Sequence, residues 1–270
     1  MTKKNSGYLL GGRELAVMAG FLGFLVMACA AYVFWLPDVS EFKKKNPADT
    51  SFMRLKERQA RARGLKLTRR MAWTPWAAIS ENLKHAVLVA EDGGFYSHNG
   101  VDWDSTREAL KTDWKKKRFA KGGSTITQQV ARNLYLSPSK NPLRKVKEIL
   151  IARRLERELG KRRIFEIYLN IAEWGKGIYG AQAAAEAYFG KNAADLTPEE
   201  SAALAAALPS PRRYNPTGGT RFMERQKSRI VARMRASGYL PEESEDEVLE
   251  ESFGVISSTG IAVSTYAVSD

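Results

Sequence analysis

The chain has 270 residues and a formal net charge of +13. Its single cysteine, Cys29, excludes an internal disulfide, and the presence of only His85 and His98 excludes a His-rich metal site. The length suits one anchored domain of ordinary size; the charge suggests an anionic partner, and nucleic acid, a phospholipid surface and a phosphorylated substrate fit it equally.

A short polar stretch, 1–14, precedes an uncharged run from Leu15 to Leu36. At about 1.5 Å per residue, a helix over 15–36 crosses the roughly 30 Å hydrocarbon core of a bilayer. Tyr32, Phe34 and Trp35 stand at its far end, where aromatic rings prefer the interface. Ala28-Cys29-Ala30 offers a rival reading as a signal-peptide cleavage site, and Met27-Ala28-Cys29 a faint lipoprotein box. The apolar run continues past both, so an uncleaved anchor is expected. Lys3, Lys4 and Arg13 precede it and Lys43, Lys44 and Lys45 follow it, so charge orients it weakly. The short polar N-terminus favours keeping that end inside and the main domain outside.

Residues 37–72 form a basic, membrane-proximal linker containing Arg54, Lys56, Arg58, Arg61, Arg63, Lys66, Arg69 and Arg70. A helix here either meets anionic head groups or serves as a solvated connector. Trp73 and Trp76 then belong to the interface or to a core. Over 73–240 the pattern is helical, with Ala-rich stretches at 181–188 and 201–208 between Gly, Pro and Asn breaks. Thr125 and Gln128 read as a capping box after Gly122-Gly123. Asn141-Pro142 starts another helix, with Asn as cap and Pro in the first turn. Val146, Ile149, Leu150 and Leu159 are its expected core positions. Residues 241–270 form an acidic tail with eight Asp or Glu and no Lys or Arg, expected to be disordered and dispensable for catalysis.

Three segments offer chemistry. Ala86 to Asp102 ends an apolar run in the acidic pair Glu91-Asp92. Gly122 to Leu136 places a glycine hinge, hydroxyls and amides at a helix start. Arg144 to Asn170 sets cations beside Glu148. Cations with a helix N-terminus suit phosphate oxygens, and two carboxylates suit glycosyl chemistry. Each feature alone has a plain alternative. Glu91 and Asp92 also read as surface charges ending a helix, Glu148 as an i, i+4 partner of Arg144, His98 as a structural residue, and Lys115 to Arg118 as a solvated face.

Together the segments resemble the signature motifs of the glycosyltransferase family that polymerises peptidoglycan, found in class A penicillin-binding proteins and in monofunctional transglycosylases. Glu91-Asp92, Phe95, His98, Gly100 and Asp102 match the first motif, and Gly123 to Gln129 the second. Arg144-Lys145 with Glu148 match the third. Glu166, Tyr168-Leu169-Asn170, Gly177, Ala183-Ala184 and Tyr188-Phe189-Gly190 also fit, and Leu208-Pro209 to Asn215-Pro216 resembles the closing segment. The likeness covers roughly 73–240. It departs at Gly93-Gly94, where polar or basic residues are usual, at Arg132, where lysine is common, and at Gly160, where serine is usual.

The resemblance implies a mostly α fold: a lysozyme-like helical glycosyltransferase domain with a small membrane-proximal subdomain, preceded by one transmembrane helix. It implies that lipid II and the growing glycan strand are the substrates, with undecaprenyl pyrophosphate as leaving group and inversion at the anomeric carbon. Glu91 is then the base and Glu148 the second important carboxylate. Asp92, Ser124, Gln128, Arg132, Lys140, Arg144, Lys145 and Lys147 are the substrate-binding candidates. No tightly bound cofactor is implied; beside Glu148, either a divalent cation (Mg or Mn) or an oriented lysine or arginine would meet the pyrophosphate. The expected location is the bacterial inner membrane, single-pass, with the catalytic domain on the periplasmic side. The bilayer and cell-wall synthesis proteins are the compatible partners, and nucleic acid is not one. Three rivals stand beside this reading: a lysozyme-type hydrolase, a nucleic-acid-binding membrane protein, and a non-catalytic scaffold. Ser137-Pro138-Ser139-Lys140 spells S-x-x-K, but Ser80-Glu81-Asn82 precedes it and no K-T-G follows, so no peptide cross-linking is expected.

Overall fold

The computed structural model describes residues 12–116, 123–138 and 141–242. Helices dominate them: α1 (Gly12–Phe34), α2 (Ser51–Ala62), α3 (Glu81–Glu91), α4 (Trp103–Lys116), α5 (Ile126–Tyr135), α6 (Pro142–Glu158), α7 (Lys161–Ile171), α8 (Ala181–Phe189), α9 (Pro198–Ala207) and α10 (Arg221–Ala236). Three short strands, β1 (Arg70–Met71), β2 (Glu173–Gly175) and β3 (Ile178–Tyr179), pair in the order β1-β3-β2. β1 runs parallel to β3, with Arg70 opposite Ile178, and β2 runs antiparallel to it. Gly177 turns β2 into β3 at φ +77°, and a Cβ there would lie 2.7 Å from the Thr68 carbonyl, so the turn requires glycine.

Helix α1 spans 23 residues, about 34 Å at 1.5 Å per residue, and is long and apolar enough to cross a membrane. Phe21, Phe24, Met27 and Phe34 are each more than half exposed, so the chain itself covers little of it. The helix ends at Phe34 rather than Leu36, because Pro37 disfavours helical backbone in the residue before it. Its last turn packs against α6. In the basic linker, α2 is capped by Thr50, whose side chain accepts from the Met53 N–H, and packs on α5 through the fully buried Met53.

The core joins two groups of helices: α3 against α9 and α10, and α5 against α6, α7 and α2. Trp76 packs edge-on against Phe165, with ring centroids 5.7 Å apart, and Trp73 lies under the Arg163 guanidinium. Both tryptophans therefore serve the core. Asn141 caps α6 and Pro142 occupies its first turn, as the sequence indicates. Of the expected core positions Leu159 is buried, Ile149 and Leu150 are partly so and Val146 is 45% exposed, while Glu148, Ile151, Ala152 and Leu155 form the buried face of α6. Thr125 does cap α5, accepting from the Gln128 N–H, but the Gln128 side chain accepts from Lys145 instead of closing a capping box. The reciprocal box forms at Thr197 and Glu200 of α9, where the sequence reading did not place one. Gly160 lies between α6 and α7 as the N-cap of α7, where it supplies no side-chain cap. The acidic tail beyond Glu242 lies outside the described residues, as does most of the basic run after Lys116.

Candidate active site

The site grows from the C-terminal end of α3. Glu91 is its last residue and Asp92 its C-cap. Asp92 is buried, at 7% exposure, and its carboxylate joins two segments. Its Oδ2 accepts from the backbone N–H of Ile126 at 2.9 Å, and Oδ1 lies 3.0 Å from His98 Nε2. A carboxylate at the first turn of α5 satisfies an otherwise orphan donor and suits the positive end of the helix dipole. Thr125 adds a second tie, donating through Oγ1 to the Gly100 carbonyl at 2.7 Å. Gly100 has φ +86°, and a Cβ there would sit 3.3 Å from the Ala152 backbone of α6. The first two sequence motifs are thus fastened together by Asp92, His98 and Gly100.

Glu91 is half-buried, and its Oε2 accepts from Gln129 Nε2 at 2.7 Å. The Gln129 Oε1 in turn lies 3.4 Å from the Tyr168 hydroxyl. Burial pushes the Tyr168 phenol well above its ordinary range, and the charge of Glu91 adds to the rise. A phenol held protonated donates its hydrogen, so the Gln129 amide oxygen faces Tyr168 and its N–H faces Glu91. The charge of Arg132, on α5, opposes the Glu91 effect on Tyr168.

On α6, Glu148 is fully buried between two cations. Arg144 Nη1 reaches its Oε2 at 2.6 Å and Lys145 Nζ reaches its Oε1 at 2.6 Å. Lys145 Nζ also lies 3.1 Å from Ser124 Oγ and 3.1 Å from Gln128 Oε1, so all three ammonium hydrogens have acceptors. Helical spacing produces this arrangement, since positions three and four apart share a face. Lys147 does not: its Nζ donates to the Tyr32 carbonyl at 2.8 Å and stands 4.3 Å over the Tyr32 ring. It therefore leaves the cluster in which the sequence reading placed it. Lys140 lies outside the described residues.

Both carboxylate oxygens of Glu148 are engaged by cations. Among the described residues no three His, Cys, Asp or Glu side chains gather for a metal ion. A cleft of about 400 Å³ opens between the motifs, with Glu91, Asp92, Gly94, Asp102, Ser124 and Arg233 among its walls. Glu91 stands on one side and Ser124, carrying Lys145 behind it, on another. Two hydrogen bonds from Ser105, one from its hydroxyl and one from its backbone, hold the Asp102 carboxyl below the usual carboxylate range. Arg233 of α10 donates to the Val89 carbonyl at 3.2 Å, and no sequence signal marks it. Thr127, within the second motif, donates to Glu156, and Lys161, which sequence reasoning missed, bridges Glu156 and the His98 carbonyl. Glu166 and Asn170 support the site from behind: Glu166 accepts from the Trp76 N–H, and Asn170 bonds both backbone groups of Thr74.

The Transglycosylase family model matches residues 58–235, which contain every residue of this cleft. The chain is 43% identical over 192 residues to a biosynthetic peptidoglycan transglycosylase of Dechloromonas aromatica (strain RCB), covering 71% of this chain and 83% of that protein. It is 43% identical over 225 residues to the protein of that name from Azoarcus sp. (strain BH72), covering 83% and 94%. The corresponding Janthinobacterium sp. (strain Marseille) protein is 42% identical over 213 residues, covering 79% and 91%. The chain belongs to the transglycosylase family, whose domain is the lysozyme-like glycosyltransferase fold.

Proposed function

We propose that this enzyme polymerises lipid II into glycan strands, releasing undecaprenyl pyrophosphate and inverting the anomeric carbon. The observation that carries the reading is a cleft walled by both the half-buried carboxylate Glu91 and Ser124, whose hydroxyl accepts from Lys145 of the Lys145–Glu148–Arg144 cluster. Glu91 takes the proton from the 4-hydroxyl of the acceptor sugar as its oxygen forms the new bond to the anomeric carbon. Gln129, oriented by Tyr168, holds one oxygen of the Glu91 carboxylate. The bond to the lipid pyrophosphate breaks at the same centre. The departing group is already a good leaving anion and needs cations rather than a proton, which Lys145 and Arg144 supply. Arg132 adds charge from α5. A lysozyme-type hydrolase would place a proton-donating acid near the leaving oxygen. Here Glu148 has both oxygens tied to cations instead.

Helix α1 anchors the domain beside the bilayer that retains the substrate's lipid, with the catalytic domain on the periplasmic side of the inner membrane. Incubation of the purified chain with lipid II, followed by product sizing, tests the activity: lengthening strands are expected, and shortening of preformed strands without growth would overturn it. Fractionation of cells, with protease added from the periplasmic side, tests the anchoring independently.

A further inference from the structure

A second cavity, of about 450 Å³, lies where the end of α1 meets α2, α5 and α6. Tyr32 and Trp35 contribute from the anchor end, Leu55 and Arg58 from α2, Tyr135 from α5 and Lys147 from α6. Two cations face it, and no Asp or Glu is among its described walls. Lys147 is fixed in place by the Tyr32 carbonyl and ring. Arg58 is exposed and forms no ion pair or hydrogen bond among the described residues. The rest of the lining is largely apolar or aromatic. Its outer edge, Trp35, is 81% exposed at the end of a helix whose phenylalanines point outward.

We infer that this cavity holds the head group of one anionic glycerophospholipid, its phosphodiester on Arg58 and Lys147 and its chains alongside Trp35 and α1. The inference rests on α1 lying in the bilayer, as proposed above. Position supports it: a cavity at the end of an apolar helix sits at the depth of lipid phosphates, where aromatic rings also concentrate. Charge supports it too, since two cations with no Asp or Glu among the described walls are complementary to a single phosphodiester. The cavity is distinct from the catalytic cleft, because Lys147 turns to Tyr32 while Lys145 and Arg144 turn to Glu148 on the same helix. A bound lipid would join α1, α2 and α6 at the end of the helix that carries the cation cluster.

The test is native mass spectrometry of the full chain from micelles doped in turn with phosphatidylglycerol, phosphatidylethanolamine, undecaprenyl pyrophosphate or soluble glycerol phosphate. One phosphatidylglycerol per chain is expected, retained at least tenfold better than phosphatidylethanolamine. The double variant Arg58→Gln, Lys147→Gln should lose that retention tenfold or more. Arg58→Lys with Lys147→Arg should restore most of it, and Arg61→Gln, which removes an equal charge elsewhere on α2, should leave it intact. Equal retention of the two phospholipids, or by wild type and double variant, would overturn the inference. So would glycerol phosphate binding as well as the lipid, or a double variant that loses undecaprenyl pyrophosphate but keeps phosphatidylglycerol. Failure of retention in a chain that still fractionates with membranes counts against the cavity alone; a chain absent from membranes defeats the anchoring and this inference together.

Discussion

The carboxylate of Asp92 accepts the backbone N–H of Ile126 at 2.9 Å, so the residue beside the proposed base also starts the next helix of the site. That bond holds the two motifs in register. Asp92→Ala would leave that N–H without its partner inside a buried region, at a cost of about 1–3 kcal/mol. Asp92→Asn keeps an oxygen for Ile126 and should lose less stability. Chemical denaturation of both variants checks the order. Residual polymerisation by Asp92→Asn should exceed that of Glu91→Gln.

Glu91→Gln keeps the shape of the side chain but cannot take a proton. A positioned general base typically contributes about 10²–10⁴-fold, so strand formation should fall by at least that range with lipid II binding little changed. Gln129→Ala should produce a smaller loss, because the carboxylate remains but its orientation loosens. A near-wild-type rate for purified Glu91→Gln would remove the mechanism proposed above.

Asp102 provides a pH-dependent test. Hydrogen bonds from Ser105 hold its carboxyl below the ordinary value of 3.8. A depressed carboxylate contributes stability that is fully present above its unfolded value and is lost as pH falls through the folded value. Ser105→Ala removes the side-chain bond, so the Asp102 titration should move up toward 3.8. The pH-dependent stability difference from wild type should be largest above that point and vanish at lower pH. NMR titration and denaturation at several pH values measure the two effects.

The ends of helices and the order of motifs were legible in the residues, because caps, prolines and uncharged runs act locally. Asn141-Pro142 starts α6 as read, and the run ending before Pro37 forms α1. The Thr197-to-Glu200 box has the same local T-x-x-E signature. The sides of α6 were harder. Its buried stripe is Glu148, Ile151, Ala152 and Leu155, at i, i+3, i+4 and i+7, and a search for apolar residues rejects a stripe that begins with glutamate. Lys147 could have been excluded from the cluster by spacing alone, since a residue adjacent to Glu148 points about 100° away around the helix. The contacts of Gln129 with Glu91 and of Arg233 with the cleft join segments far apart in sequence, and no local pattern encodes them.

Glu148 should fail differently from Glu91. Its carboxylate is fully buried, while the Arg144 and Lys145 side chains are 15% and 40% exposed. Removing one member of a buried ion pair costs about 3–5 kcal/mol, and the partial exposure of both cations points to the low end. Glu148→Gln keeps one acceptor oxygen for two cations and removes the charge; with that oxygen on Arg144, Lys145 is left to Ser124 and Gln128. The freed ammonium should then bind a pyrophosphate in the ground state about as well or better, while its position during bond breaking becomes less defined. Strand formation should therefore fall while affinity for undecaprenyl pyrophosphate is retained or rises, and thermal unfolding should occur at lower temperature. Glu91→Gln, by contrast, should leave both lipid pyrophosphate affinity and stability close to wild type. Matched measurements of polymerisation, lipid pyrophosphate binding and unfolding on the two variants separate these outcomes. If Glu148→Gln reproduced the Glu91→Gln pattern, with stability unchanged and only turnover lost, Glu148 would be acting on the reacting atoms rather than positioning the cations.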